Sequence, residues 1–309
     1  MLTTFAGRDC SAAITWNLTY TDAAGVGFND ATQGAARRST LTAVTSYINT
    51  VIDANGIIDL EIDSFNNPGS GTLASAGPFV TTAAGFSNGL VFSHATTGVD
   101  LAPSLPDGTA TFNFGQNFST GLGAPAANQF DLFSIALHEF SHALGFLSLV
   151  TPTGVSAISG TDPGSYSVFD SFLIRGTTGM SLFAAGGDFV GTMADLISND
   201  VFFNGPNARA ANGGNPVQVY APNPFNGGSS ISHIVLTDAV MQFSIAPGVA
   251  RREFSAQELG IFADIGYSVI QPAAVPEPSS YLLLTLVGLS YGAMRRRRRT
   301  TPSDSASAA

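Results

Sequence analysis

The chain has 309 residues, of which 44% are apolar and 23 are phenylalanine, enough to bury a substantial core in one or two globular units. It carries 12 basic and 22 acidic residues, and five of the basic ones form the run Arg295–Arg299. Without that run and Asp304, seven basic residues stand against 21 acidic ones, which argues against nucleic acid as a partner. The single cysteine, Cys10, excludes an intramolecular disulfide framework.

The N-terminal part of the chain is predicted to form strands, one helix and a long loop. Alternating apolar residues predict strands, a helical spacing predicts the helix, and a Gly/Ser/Ala-rich composition predicts the loop. The predicted elements are a strand at Ser11–Tyr20, a helix at Gly34–Ile52, a strand at Ile57–Ile62, a loop at Gly69–Gly89, and strands at Leu90–Ser93 and Thr109–Phe114.

The most informative segment follows, where Phe130–Leu144 has the apolar spacing of a buried helix, predicted at about 129–145. It contains His138-Glu139-Phe140-Ser141-His142, the His-Glu-x-x-His pattern. Two histidines one turn apart share a helix face and can bind one zinc ion, while the intervening glutamate reaches the water that attacks the substrate. We therefore predict His138 and His142 as Zn²⁺ ligands and Glu139 as the general base of a hydrolase.

A catalytic zinc site needs a third protein ligand, and the position three residues after Gly145 is Ser148 rather than histidine. Two histidines remain as candidates, His94 and His233. His233 follows a long Gly/Asn/Pro-rich stretch, with Met241 eight residues later, and is the preferred candidate. His94 ends a strand-like run and is expected to be structural or at the surface, and nothing in the spacing of Asp131 or Asp170 recommends either as a ligand.

The sequence from His138 to Phe146, followed by a long insertion, a Ser-His element and a methionine, resembles the leishmanolysin-like branch of the metzincin metalloproteases. The resemblance is confined to these short elements. It implies an α+β zincin fold with a twisted mixed sheet, an active-site helix, a loop-rich insertion and a C-terminal helix. It also implies His138, His142 and His233 as ligands, Glu139 as base, Met241 in the turn beneath the metal and Gly145 where the helix ends.

This resemblance gives a division into four parts. An N-terminal catalytic subdomain spans 1–148, a loop-rich insertion 149–228, and a segment with the third ligand, the methionine turn and a closing helix 229–270. Ser255 and Glu258 form the sequence pattern of a capping box at the start of the closing helix. By analogy, Thr111–Phe114 is expected to be the sheet edge on which an extended peptide pairs, with an internal strand as the alternative.

The C-terminal part, 271–309, has the order of a sorting signal. Pro276-Glu277-Pro278 precedes an apolar stretch at about 279–294 and then the arginine run. This order resembles the bacterial PEP-CTERM signal, which implies export, an exosortase-like partner and inner-membrane anchoring through the apolar stretch, with the globular part outside. A plain membrane anchor is the alternative. Met1–Trp16 shows no secretory signal, and we expect the true start to lie further upstream.

The leading prediction is thus a secreted or cell-envelope zinc endopeptidase acting on protein or peptide substrates. The alternative is a non-catalytic extracellular-matrix or surface protein that keeps a metalloprotease fold. Glu139 weighs against the alternative, because a scaffold has no physical need for that base. Another zinc hydrolase is a third possibility, since a metal site alone does not specify a peptide substrate.

Overall fold

The main sheet of the protein is mixed, with three parallel strands and one antiparallel strand at its edge. The structure is a computed structural model, and it describes residues 13–270. The helices are α1 Gly34–Val51, α2 Gly89–Thr97, α3 Leu132–Ala143, α4 Pro206–Ala211 and α5 Ala256–Asp264. The strands are β1 Thr15–Tyr20, β2 Ile52–Asp53, β3 Ile57–Phe65, β4 Ala74–Pro78, β5 Gly85–Ser87, β6 Gly108–Asn113, β7 Phe118–Ser119, β8 Phe130–Asp131, β9 Ser165–Ser167, β10 Leu173–Arg175, β11 Val201–Phe203, β12 Val217–Gln218 and β13 Ser268–Val269. The fold is therefore mixed α+β, as predicted.

The sheet has the order β1-β3-β6-β4 and supports α1 and α3. In β3 the apolar residues alternate, so that Ile58, Leu60 and Ile62 are all buried. Helix α3 contacts α1 as well as β4 and β6, and it is buried on nearly every side because these elements enclose it. The rigid sheet thus fixes the helix that carries the His-Glu-x-x-His pattern.

Several predicted elements are confirmed and two are wrong. The first strand, the long helix α1 and the strand at β3 are present, and α5 begins with a capping box between Ser255 and Glu258. Leu90–Ser93 is not a strand, because it lies inside helix α2. The predicted loop Gly69–Gly89 contains two strands, β4 and β5.

The expected substrate edge at Thr111–Phe114 is also wrong. This segment belongs to β6 and continues one residue beyond it, and β6 pairs with β3 on one side and with β4 on the other. The edge strand next to β6 is β4, whose small residues did not predict a strand from sequence. Pro78 at its end suits an edge position, since proline cannot donate a hydrogen bond to a further strand.

The predicted insertion, 149–228, is rich in turns and contains short strands. Strands β10, β11 and β12 form an antiparallel sheet, and β9 pairs in parallel with β5, which precedes helix α3 in sequence. A buried cluster of aromatic rings that includes Tyr166, Phe169 and Phe203 replaces longer regular elements as its core. The division of the chain at 149 and 228 stays a prediction.

The prediction of a transmembrane helix and of inner-membrane anchoring is corrected. Within residues 13–270, no helix has both the length and the apolar character needed to cross a membrane. Helix α1 has 18 residues but includes Arg37 and Arg38, and apolar α3 has only 12, where a span needs about 20. The segment at about 279–294, the motif Pro276, Glu277 and Pro278, and Cys10 lie outside the described residues, and no membrane anchor enters the function proposed below.

Candidate metal centre

Three histidine side chains converge on one point between α3 and the segment that follows the insertion. The Nε2 atoms of His138 and His142 are 3.1 Å apart, those of His138 and His233 3.0 Å, and those of His142 and His233 3.3 Å. Ligands arranged tetrahedrally at about 2.0–2.1 Å from zinc lie roughly 3.3 Å from one another. The structure therefore brings together the three histidines that the sequence singled out, at a spacing that fits one metal ion.

The proton on each of these rings is fixed by a backbone carbonyl. Nδ1 of His138 lies 2.8 Å from the oxygen of Val240, Nδ1 of His142 2.8 Å from that of Phe146, and Nδ1 of His233 2.6 Å from that of Ser229. A carbonyl can only accept, so every Nδ1 donates and every Nε2 presents a lone pair. The short contacts between the Nε2 atoms are therefore not hydrogen bonds, and a cation is what relieves their mutual repulsion.

Burial keeps the three imidazoles neutral, which is the form that binds a metal. It lowers the pKa of His138 to about 4 and the pKa of His233 to about 3. It also lowers the pKa of His142 well below its usual value, and the two neighbouring histidines lower it further. The donor set thus consists of three neutral nitrogen ligands, as zinc prefers in many sites.

Glu139 is buried beside the ligands and makes no hydrogen bond with the described residues. Its side chain lines the same cleft as the three histidines, and the residue is only 6% exposed. Burial raises the pKa of Glu139 to about 8. No hydrogen bond or ion pair within residues 13–270 uses this carboxyl, so the fold alone gives no reason for a glutamate at this position.

The ends of α3 explain why these side chains are held rigidly. At the start, Asp131 caps the helix by accepting hydrogen bonds from the backbone nitrogen and the hydroxyl of Ser134, at 3.0 and 2.6 Å. At the other end, Gly145 has a φ of 96°, in the left-handed region that glycine enters without strain. This turn brings the carbonyl of Phe146 back to Nδ1 of His142.

His233 is placed by a pair of backbone hydrogen bonds to Tyr220. Ile231 donates to the Tyr220 carbonyl at 2.8 Å, and the Tyr220 nitrogen donates to the His233 carbonyl at 2.8 Å. Between these bonds the chain bends sharply, with Ile231 at a φ of 68°. A positive φ is strained for a β-branched residue and recurs where a site must be held in one conformation.

Met241 is fully buried in the next segment, and the backbone around it anchors the site. Its carbonyl accepts from Ile234 at 3.0 Å, and its nitrogen donates to Oε1 of Glu258 at 2.7 Å. The carbonyl of the preceding residue, Val240, holds His138. The capping box of α5 and the metal ligands are therefore linked through one short segment.

The ligands open into a cleft of about 720 Å³. One wall is the segment Gly71–Ala76, which includes the start of β4, and the opposite walls come from α3 and from segments on either side of Met241. Just outside β4, the carbonyl of Leu73 accepts from the nitrogen of Asn113, and the nitrogen of Phe79 donates to the carbonyl of Asp107. Hydrogen bonding alternates along an antiparallel pair. The backbone groups of Ala74 and Ala76 accordingly point away from β6, toward the free edge.

The remaining ligand candidates lie elsewhere. His94 belongs to a second cluster with Asp59 and Asp100, whose potential ligand atoms lie within 4.8 Å of one another, and its Nδ1 is 2.9 Å from Oδ2 of Asp107. Asp131 caps α3, and Asp170 accepts from the nitrogen of Leu149 at 2.9 Å. None of these residues joins the three converging histidines.

Sequence reasoning missed two parts of the site. One is β4, whose small residues resemble a loop, although Pro78 was a signal for an edge strand. The other is the pair Arg251 and Arg252. Arg252 is held by Asp131 with Nη2–Oδ1 2.6 Å and Nε–Oδ2 2.9 Å, whereas Arg251 lines the cleft. No local pattern reveals either contact, since the partners are more than a hundred residues apart in sequence.

Comparison with protein-family models, with curated proteins and with solved structures finds no match to this chain. The functional argument therefore depends on the site itself.

Proposed function

We propose that this protein is a zinc-dependent endopeptidase. The observation that carries the proposal is the convergence of three neutral Nε2 atoms beside a buried, unpartnered Glu139. Three imidazoles leave one position of a tetrahedral zinc open, which is the arrangement of catalytic zinc sites, whereas structural sites are closed by four protein ligands. Hydrogen bonds from each Nδ1 to a carbonyl supply the outer support that such ligands need.

The chemistry is divided between the metal and one side chain. Zinc, when bound, lowers the pKa of a water molecule toward about 7 and polarises the carbonyl of the substrate. With a cation bound beside it, the ionised form of Glu139 would be favoured, and its carboxylate would accept the proton of the attacking water and return it to the leaving amine. His138, His142 and His233 do not exchange protons in this scheme, because their Nδ1 atoms stay bonded to backbone carbonyls.

The free edge of β4 supports a peptide as the substrate. Ala74 and Ala76 lie on the wall of the cleft, and their outward backbone groups can pair with an extended chain as an added strand. Such pairing recognises backbone rather than side chains, which suits a substrate cut inside a polypeptide.

Glu139 also favours an enzyme over a non-catalytic protein with the same fold. A scaffold would gain stability by replacing this buried carboxyl with glutamine or an apolar residue. The metal ligands alone would account for a structural zinc, but they give no role to Glu139, which no described residue contacts by a hydrogen bond.

The experiment is a comparison of Glu139→Gln with the wild type after both are loaded with zinc. We expect hydrolysis of quenched fluorescent peptides to fall at least about a hundredfold, because no base remains to take the proton of water. Bound zinc, measured by mass spectrometry of the metal, should stay at one equivalent. Glu253→Gln, which changes an exposed carboxyl, is the matched control and should behave as wild type.

Two results would contradict the proposal. One is a wild-type protein that binds zinc but cleaves no member of a proteome-derived peptide library. The other is a Glu139→Gln variant that keeps more than about a tenth of the wild-type rate.

A further inference from the structure

The wall of the cleft contains one guanidinium group. Arg251 lines the cleft close to Ser134 and Ile135 of the catalytic helix. Apart from the histidines, Glu139 is the only other ionisable residue among those that line it. A single fixed cation therefore faces the space where the proposed substrate lies.

The Arg251 side chain is held in place but not neutralised. Its backbone nitrogen donates to Oγ of Ser134 at 2.7 Å, and its Nη1 donates to the carbonyl of Ser244 at 2.9 Å. Its Nε is buried and has no hydrogen-bond partner. Within residues 13–270, no carboxylate lies within 4.0 Å of this guanidinium, which is partly buried and has donors that no carboxylate satisfies.

The surrounding charges confirm that this cation is incompletely compensated. Burial lowers the pKa of Arg251, and the carboxyls of Asp238 and Glu258 offset that effect only in part. Glu258 is already occupied by the nitrogens of Met241 and Ser255. The charge of Arg251 also contributes to the lowered pKa of His138, so the guanidinium lies within electrostatic reach of the metal ligands.

Arg252, which follows Arg251 in sequence, is an arginine with a structural role. Arg252 forms a two-pronged ion pair with the fully buried Asp131, and Arg175 forms another with Asp195. Both arginines stabilise the fold through a carboxylate partner. Arg251 carries the same guanidinium group but has no carboxylate partner within the described residues.

We infer that Arg251 binds a carboxylate of the substrate, so that the cleft selects peptides with an acidic side chain close to the cleaved bond. This inference rests on the proposed function and names its substrate class. Nη2 makes no hydrogen bond within residues 13–270, so it can donate to a substrate carboxylate, and such charge-assisted bonds are about twice as strong as neutral ones. The acidic surface of the protein repels such peptides at long range, so any preference for them must come from a local cation.

The test uses pairs of peptides that differ only by glutamate or glutamine, placed in turn at each of the three positions on either side of the cleaved bond. Each enzyme is described by the ratio of kcat/KM for the glutamate and glutamine peptides, so a general loss of activity cancels. The wild type, Arg251→Gln and Arg251→Lys are compared. Arg209→Gln is the matched control, because Arg209 is exposed on α4 and bonds only to the carbonyl of Gly214.

At one position the wild type should favour glutamate roughly tenfold or more, and the preference should weaken as salt screens the charges. Arg251→Gln should bring this ratio to about one, Arg251→Lys should keep part of it, and Arg209→Gln should leave it unchanged. A wild-type ratio near one at every position, or a preference that persists in Arg251→Gln, overturns the inference.

Binding separates this inference from the proposed function. The same peptide pairs are titrated onto Glu139→Gln protein with and without the Arg251→Gln change, and the dissociation constants are compared. If the wild type cleaves nothing but the glutamate peptide binds more tightly in an Arg251-dependent way, the proposed function fails and the acidic site stands. Equal binding of the two peptides contradicts the acidic site, whatever the outcome of the cleavage assay.

Discussion

Helices α2 and α3 each carry a histidine in the last turn and each end in a left-handed glycine. Gly98 follows His94 with a φ of 71°, and Gly145 follows His142 with a φ of 96°. The difference lies in what each ring contacts. Nδ1 of His142 meets a backbone carbonyl, whereas Nδ1 of His94 meets the carboxylate of Asp107 at 2.9 Å and lies 3.7 Å from that of Asp59.

This difference separates the candidate metal ligand His142 from His94. Around His142 the acceptors are neutral, the rings are neutral, and three Nε2 lone pairs meet at one point. Around His94 the ring already has a carboxylate partner for Nδ1. A cluster of histidines therefore predicts a metal best when several Nε2 lone pairs converge without a donor to share them.

Removing one histidine from each cluster should give the largest contrast. His233→Ala should lower zinc affinity at least about a hundredfold, because two imidazoles and a loose loop remain. His94→Ala should leave zinc affinity unchanged and lower the free energy of unfolding by about 1–3 kcal/mol, since buried Asp107 loses a hydrogen bond. Competition with a zinc chelator and chemical denaturation measure the two quantities. Loss of zinc binding in His94→Ala would contradict the distinction drawn between the two clusters.

Asp170 extends the comparison between the two histidine clusters, because it is a buried carboxyl with no cation beside it in the described part of the chain. Burial raises its pKa from 3.8 to about 6, against the hydrogen bonds from Leu149 and Ser167, and its Oδ1 has no partner. Because this pKa is higher in the folded protein than in the unfolded chain, the neutral form of Asp170 favours folding. The contribution of Asp170 to the free energy of unfolding is therefore complete below about pH 4 and is lost as the pH rises through about 6.

Asp170→Asn should remove that pH dependence, which amounts to about 3 kcal/mol between pH 4 and pH 8 by the shift of the pKa. The measurement is denaturation at both pH values, with Glu253→Gln as a control for the loss of an ordinary carboxyl. The account of Asp170 is wrong if wild type and Asp170→Asn lose the same stability over this range.

The two helix-ending glycines provide the smallest and most closely matched test. A Cβ on Gly145 would have its nearest neighbour, the Asn88 carbonyl oxygen, at 3.6 Å, and one on Gly98 would meet nothing within 4 Å. Alanine should therefore cost about 1 kcal/mol of backbone strain at either position rather than a clash. Only Gly145→Ala should also weaken zinc binding, because its turn carries the carbonyl that orients His142. Equal zinc affinity in the two variants would show that the turn at Gly145 does not orient His142 for zinc binding.

The local parts of the site could be predicted from sequence. His138, Glu139 and His142 share one helix turn, so their spacing alone indicates a metal site. The capping box at Ser255 and Glu258 is equally local and is present as predicted. The convergence of His233 with the other two was predicted through a resemblance, and the structure brings its Nε2 within 3.3 Å of both.

The predictions that failed concern features that depend on contacts between residues distant in sequence. Leu90–Ser93 is a short apolar run, and such a run fits a strand and a buried helix equally well until its neighbours are known. Strand β4 has almost no intrinsic strand preference, with Ala, Ser and Gly at its centre, and forms because β6 pairs with it. In sequence Arg251 cannot be distinguished from Arg252, and only the structure shows that Arg252 has a carboxylate partner whereas Arg251 bonds to Ser134 and Ser244.

The most direct measurement is anomalous diffraction from crystals of the zinc-loaded protein at the zinc absorption edge. We predict one peak that is equidistant from Nε2 of His138, His142 and His233, at about 2.0–2.1 Å from each. A peak beside His94, Asp59 and Asp100 instead, or no peak in the cleft of a zinc-saturated protein, would contradict the account.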